Sequence, residues 1–180
     1  MARMDAEALR DSVLFVAGRL DETAYGPPDL MYLREDGLVT APETPKGWRR
    51  SIYSQQRRFT VLTSLDLFDY PQMSPNCVRR TDTAVAPQAL YLLNDTVIRK
   101  LADSLAERVR KEVGDNLGKQ IERVYWLALS RPPTAEESGV VLKELEKAYQ
   151  TRPGQRAPAD QVLAKFCHTM INSAAFIYID

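Results

Sequence analysis

Between residues 87 and 114, apolar side chains recur at helical spacing: Leu90, Leu93, Val97 or Ile98, Leu101, Leu105 and Val109 form one stripe. A strand alternates faces at every residue, so a stripe of this period fits a helix and needs other helices to cover it. Pro87 suits a first helical turn, where its missing N–H costs nothing. Asn94-Asp95 divides the stripe in two, with Asp95 as the cap of the second helix. The same spacing appears on both sides of this region.

Residues 4–20 place Leu9, Val13, Val16, Ala17 and Leu20 on one face. Asp5 stands at the N-cap, and Arg3, Arg10, Asp11 and Arg19 fall on an opposite, solvated side. Residues 117–130 bury Ile121, Val124, Tyr125, Leu127 and Ala128, and Arg131-Pro132-Pro133 stops that helix. Thr134 with Glu137 three positions on is a capping box. It opens a helix through Val141, Leu142, Leu145, Ala148 and Tyr149. A last helix runs from about Asp160, with Val162, Leu163, Phe166, Cys167, Met170 and Ile171 inward, and residues 176–179 leave it as an extended apolar tail.

The expected fold is therefore mainly α: an irregular helical bundle of five or six helices with long loops and at most one short strand region. It is expected to form a single helical domain over residues 1–180. The expected core comprises Leu9, Val13, Leu65, Leu90, Leu93, Leu101, Leu105, Val124, Leu127, Leu142, Leu145, Phe166 and Met170.

The stretch before the central stripe is different. Residues 21–47 are poor in apolar side chains and contain Gly26-Pro27-Pro28, Gly37, Pro42, Pro45 and Gly47. An irregular segment this long inside a compact domain is either functional or disordered. Residues 48–54 are rich enough in β-formers for a short strand. Thr60 is placed to cap a short helix with Val61, Leu62, Leu65 and Phe68 inward, ended by Asp69-Tyr70-Pro71.

Composition excludes several classes of function. Apolar residues make up 44% and charged residues 27%, as in ordinary globular chains. Lys+Arg and Asp+Glu both number 24, so no net charge draws the chain to nucleic acid or an anionic membrane. The apolar runs are only a few residues long, far below the ~20 that span a bilayer. Two cysteines, Cys77 and Cys167, and a single histidine, His168, cannot furnish a cysteine or histidine metal cage. No metal site is expected.

The sharpest polar signal is three arginine doublets, Arg49-Arg50, Arg57-Arg58 and Arg79-Arg80. In a strand, members of a doublet point to opposite faces, so one of each can line a given site. One reading is a polar groove for carboxylate, sulfate or sugar hydroxyls, where guanidinium forks bind well. Its candidate residues are Arg49, Arg50, Tyr53, Arg57, Asp69, Arg80, Thr83, Gln88 and Asn94. The other reading is structural, with buried arginines pinning a long loop to Asp66, Asp69 or Asp82. Arg80 is then the buried pin, bonded to loop carbonyls or Asp69, with Gln88 and Asn94 anchoring the same loop.

Several ordered motifs resemble a known family. They are Arg3-x-Asp5-Ala6-Glu7-Ala8-Leu9-Arg10-Asp11, Arg49-Arg50-Ser51-Ile52-Tyr53 with Arg57-Arg58, and Phe68-Asp69-x-Pro71. Cys77-x-x-Arg80-x-x-Thr83, Pro87-Gln88-Ala89-Leu90-x-Leu92-Leu93-Asn94 and Leu127-Ala128-Leu129-x-Arg131-Pro132-Pro133-Thr134 continue the set. Cys167-x-x-x-Ile171-Asn172-Ser173-x-x-Phe176-Ile177-Tyr178 ends it. Together they resemble the planctomycete-type domain of unknown function, the PSD family, which usually follows cytochrome-c-like domains in large exported proteins.

The resemblance implies a periplasmic or cell-surface setting and a chain that corresponds to the C-terminal part of a larger domain. The implied partners are the upstream half-domain or cytochrome-like neighbour domains. An uncovered face left by that half-domain implies self-association, and the setting adds a glycan as a ligand. Haem c is implied only for the neighbours: C-x-x-C-H attachment needs two thiols, and here the first position is Ala164. An exported setting favours a Cys77–Cys167 disulfide, whereas a reducing one leaves two buried thiols. The function expected is a non-catalytic helical interaction module. The alternative is part of an extracytoplasmic enzyme acting on polysaccharide, for which Asp66, Asp69 and Asp82 are the clustered carboxylates.

Overall fold

The structure is a computed structural model that describes residues 2–57, 60–71, 80, 83–149 and 159–179. It is mainly α. Among the described residues, six helices are nine residues or longer: α1 (Ala6–Val16), α3 (Ala86–Asn94), α4 (Thr96–Val113), α5 (Leu117–Leu129), α6 (Ala135–Tyr149) and α7 (Ala159–Ile171). Two four-residue turns of helix, α2 (Thr63–Asp66) and α8 (Ala174–Ile177), complete the set. No described helix is long and apolar enough to cross a membrane.

Among the described residues, strands form three two-residue ladders, where the sequence predicts at most one short strand region. β1 (Ala2–Arg3) pairs antiparallel with β6 (Tyr178–Ile179), and β3 (Tyr32–Leu33) pairs antiparallel with β4 (Val39–Thr40). β2 (Leu20–Asp21) runs parallel to β5 (Trp48–Arg49), in the register Leu20 to Trp48 and Asp21 to Arg49. The strand expected over 48–54 stops after Arg49 and continues as a 3-10 turn, Ser51–Tyr53. The tail expected to leave extended forms α8 before it enters β6.

The chain divides into two compact units. The first comprises Met1–Phe15, Arg19–Tyr91 and Tyr178–Asp180. Its core gathers Ala6, Leu9 and Val13 of α1 with Ala41, Trp48, Leu62, Leu65 and Phe68. The spacing of the α1 residues is what an amphipathic helix dictates. Gly18 (φ +68) ends the helix, and the Arg19 amide reaches back to the Leu14 carbonyl at 2.8 Å, a bond typical of a Schellman stop. The α2 turn starts after Leu62, whose side chain makes no cap. Thr60, expected to cap it, instead bridges to Arg57. What holds the start of α2 in register is the Thr63 hydroxyl, which accepts the Val39 amide at 2.8 Å.

The second unit comprises Val16–Gly18 and Leu92–Ile177. α4 packs along α7, and α5 and α6 close the group. Asp95 caps α4 as its sequence implied, accepting the Val97 amide at 2.8 Å and the Ile98 amide at 3.1 Å. Asn116 caps α5 through the Lys119 amide. The capping box is formed in both directions: Glu137 accepts the Thr134 amide at 2.7 Å, and Thr134 accepts the Glu137 amide at 3.1 Å. Thr134→Ala should lower stability by about 1 kcal/mol. An unchanged urea midpoint would count against the cap.

The core departs from expectation in α3. Leu90 and Leu93 are about half exposed, and Gln88 and Leu92, one turn apart, are buried instead. A continuous stripe runs through Asp95 in the sequence, but the break there resets the helical phase. α4 buries Ile98, Leu101, Ala102, Leu105, Ala106 and Val109 with its own phase. Leu127, Leu142 and Phe166 are half-buried rather than buried.

Candidate functional site

The first unit contains two networks built around arginine. In the first, Arg3 is the centre. Its guanidinium donates to Asp69 Oδ2 at 2.7 Å, to the Phe68 carbonyl at 3.1 Å and to the Thr83 carbonyl, and it lies 5.7 Å from the centre of the Phe68 ring. Asp69 also accepts the Thr83 amide at 2.8 Å and the Thr83 hydroxyl at 2.9 Å. Burial acts to raise the Asp69 pKa, but the Thr83 amide, Arg3 and the Thr83 hydroxyl outweigh it and hold the carboxyl below its usual range. Gln88 continues the network, donating to the Leu67 carbonyl at 2.9 Å and accepting the Val85 amide at 3.3 Å.

This corrects the reading of Arg80. The buried pin is Arg3, whose side chain is 4% exposed, whereas that of Arg80 is 42% exposed. Arg80 instead makes a two-pronged pair with Glu7, at 2.8 and 2.7 Å, beside Asp5 at 3.4 Å. The hydrogen bond from Arg80 lowers the Glu7 pKa. Helical phase places Arg3 on a solvated face. It precedes the helix, in β1, so the phase of α1 does not apply to it.

Arg49 is the centre of the second network. It is buried and donates to the Tyr25 carbonyl at 2.7 Å, the Pro27 carbonyl at 2.9 Å, the Thr23 carbonyl at 3.4 Å and Asp29 Oδ1 at 3.2 Å. Its guanidinium lies 3.9 Å from the centre of the Tyr53 ring, whose hydroxyl accepts the Tyr25 amide at 3.0 Å. A planar fork with five donors can serve several carbonyls at once, which suits it to hold a loop that lacks helix or sheet bonds. Arg10 extends the network, donating to the Arg49 carbonyl at 3.0 Å and to Ser51 Oγ at 3.2 Å. Asp11 accepts the Ser51 amide and hydroxyl at 2.8 and 2.7 Å. Helical phase also places Arg10 and Asp11 on a solvated face, but the loop after β5 covers them.

The candidate residues thus divide. Arg49 with Tyr53 forms one group, and Asp69, Thr83 and Gln88 form another. Arg50 is largely exposed and lies 3.5 Å from Asp11. Arg57 is exposed, and Asn94 is exposed at the end of α3 in the second unit. Cys77, Arg58, Arg79 and Asp82 lie outside the described residues. Cys167 is a free, fully buried thiol, and burial raises its pKa. His168 Nε2 is 2.9 Å from the Leu92 carbonyl, which the Asn172 amide also meets at 3.4 Å. Among the described residues, no group of three or more His, Cys, Asp or Glu is placed to hold a metal ion.

Asp21 is a buried carboxylate that the sequence motifs did not single out. It accepts the Thr23 hydroxyl at 2.6 Å, the Thr23 amide at 3.0 Å and the Thr44 hydroxyl at 2.7 Å. Those bonds, the Thr23 hydroxyl foremost and then Thr44, lower its pKa to about 2. A carboxylate depressed in the folded state stabilises fully above its unfolded pKa, and the effect is lost as pH falls through the folded value. The gap in melting temperature between the parent and Asp21→Asn should therefore be level above about pH 5 and close between about pH 4 and pH 2. A gap that widens in acid would contradict this assignment. The Asp-x-Thr spacing was the available signal, since Asp side chains cap turns two residues on.

Asp69 and Asp21 are ionised carboxylates already saturated by donors, so both are weak general bases near neutral pH. The arrangement ties loops to a frame. No curated protein and no solved structure matches the chain. A family model, described as protein of unknown function (DUF1553), matches residues 1–145. That match covers both arginine networks and the capping box, and the chain belongs to this family, PSD1.

Proposed function

We propose that the chain is a non-catalytic helical interaction module of an exported, cytochrome-c-associated planctomycete-type protein. In this reading it lies in the periplasm or at the cell surface, and haem c belongs to neighbouring domains. Its partners are those cytochrome-like domains and the upstream half-domain. The supporting observation is where the polar groups point. Arg3 and Arg49 direct their donors to the chain's own carbonyls and aspartates, and Asp69 is held by Arg3 and Thr83. Side chains so engaged stiffen a surface instead of handling a substrate.

Calorimetric titration of the chain with the cytochrome-c-like domain of the same protein tests this. Saturable binding at micromolar concentration is the expected result. The reading is overturned by no binding together with release of reducing ends from a polysaccharide, lost in Asp69→Asn. That outcome would assign the chain to a polysaccharide-acting enzyme.

A further inference from the structure

Resting on the interaction-module reading, we propose that residues 22–33 are the docking surface of the first unit, with Tyr25 as its anchor. The partner is a protein that presents an apolar pocket bordered by basic side chains. Tyr25 is 87% exposed, yet its backbone is held at φ +67, a left-handed conformation that non-glycine residues rarely adopt. Both of its backbone groups are tied: the N–H donates to Tyr53 Oη at 3.0 Å and the carbonyl accepts Arg49 Nη2 at 2.7 Å. A strained position kept by so many bonds points to use. A tyrosine whose backbone is already held loses less freedom on binding and contributes a large amphipathic ring with only two side-chain torsions.

The surroundings identify the kind of partner. Leu30 and Leu33 are exposed on the same segment, and Ile52 is exposed next to Tyr53. The backbone of Asp29 pairs with that of Ser54, which joins the loop to the Ile52 turn. Aliphatic side chains leave sugar hydroxyls unpaired, so this surface suits a protein better than a glycan. At its rim Glu22 and Glu35 are exposed, whereas Asp21 is buried, Asp29 pairs with Arg49 and Asp36 pairs with Arg34. A second copy would bring like charge to the same place, whereas a basic rim complements it.

Panning random phage-displayed peptides against the intact chain tests the proposal. Enriched peptides should combine Arg or Lys with aromatic or aliphatic residues. Tyr25→Ala should weaken them about tenfold or more, as expected of an anchor, with the melting temperature unchanged because the ring is exposed. Leu33→Ser, away from the strained position, should weaken them as well. Glu22→Gln combined with Glu35→Gln should flatten the salt dependence of binding. The proposal is overturned if no peptide is enriched, if the peptides are acidic, or if they bind Tyr25→Ala as well as the parent. It is also overturned if cellohexaose binds through Tyr25 where peptides do not. A cytochrome-like domain that binds Tyr25→Ala undiminished removes this surface but leaves the module reading standing. Peptides that depend on Tyr25, with no binding to that domain, do the reverse.

Discussion

Gly47→Ala should unfold the first unit at a markedly lower urea concentration than the parent. Gly47 sits at φ +131, and a Cβ there would stand 1.9 Å from the Arg19 carbonyl oxygen and 2.6 Å from its carbon. The obstacle is backbone, so no side-chain rotation relieves it. The same carbonyl accepts the Trp48 amide at 2.9 Å, which starts the parallel pairing of β2 with β5. Moving Arg19 away breaks that bond; moving Gly47 away opens the turn in which its amide meets the Thr44 carbonyl at 3.0 Å. Backbone strain of this kind costs ~1–3 kcal/mol and overpacking another ~1–3, so a loss of roughly 2–6 kcal/mol is expected. A loss below about 1 kcal/mol would show that the crossing has slack.

Arg49→Ala should be comparably damaging. It removes the donor shared by the Tyr25, Pro27 and Thr23 carbonyls and leaves Asp29 without its ion pair at 3.2 Å. Breaking one side of a buried pair costs ~3–5 kcal/mol, chiefly because the other side stays unsatisfied. Arg49→Lys should recover little, since an ammonium is a point donor and cannot reach several carbonyls in one plane. The neighbouring change Arg50→Ala, on a largely exposed side chain, should fall within ~0.5 kcal/mol. Equal midpoints for the two alanine variants would remove Arg49 from its role as the loop's centre. Loss of peptide binding in Arg49→Lys with little loss of stability would tie the network directly to presentation of Tyr25.

What could be read from the sequence was local. The Thr134–Glu137 box and the Asp95 cap are formed because donor and acceptor are three residues apart or fewer, and the helix itself brings them together. The family was also legible, because its motifs are spread in order along the chain. The exchange of roles between Arg3 and Arg80 was not. Arg3 meets Asp69 across 66 positions, and nothing in the spacing near either residue specifies that meeting. Doublets were a poor guide for a related reason: Arg49 and Arg50 are adjacent, yet one is enclosed by a loop and the other faces water. Which member turns inward depends on the pairing of β5 with β2, a tertiary choice. Leu90 and Leu93 lie outside the buried stripe because the cap at Asp95 resets the helical phase, a geometric effect that residue spacing alone does not express.

The wholly buried thiol of Cys167 offers a built-in clock. It has no solvent-exposed surface and its ionisation is suppressed by burial, so an alkylating reagent meets it only after the second unit opens. Trp48 belongs to the first unit, where its indole donates to the Ala41 carbonyl at 3.3 Å. Amide exchange at Trp48 therefore reports opening of the first unit, and alkylation at Cys167 reports opening of the second.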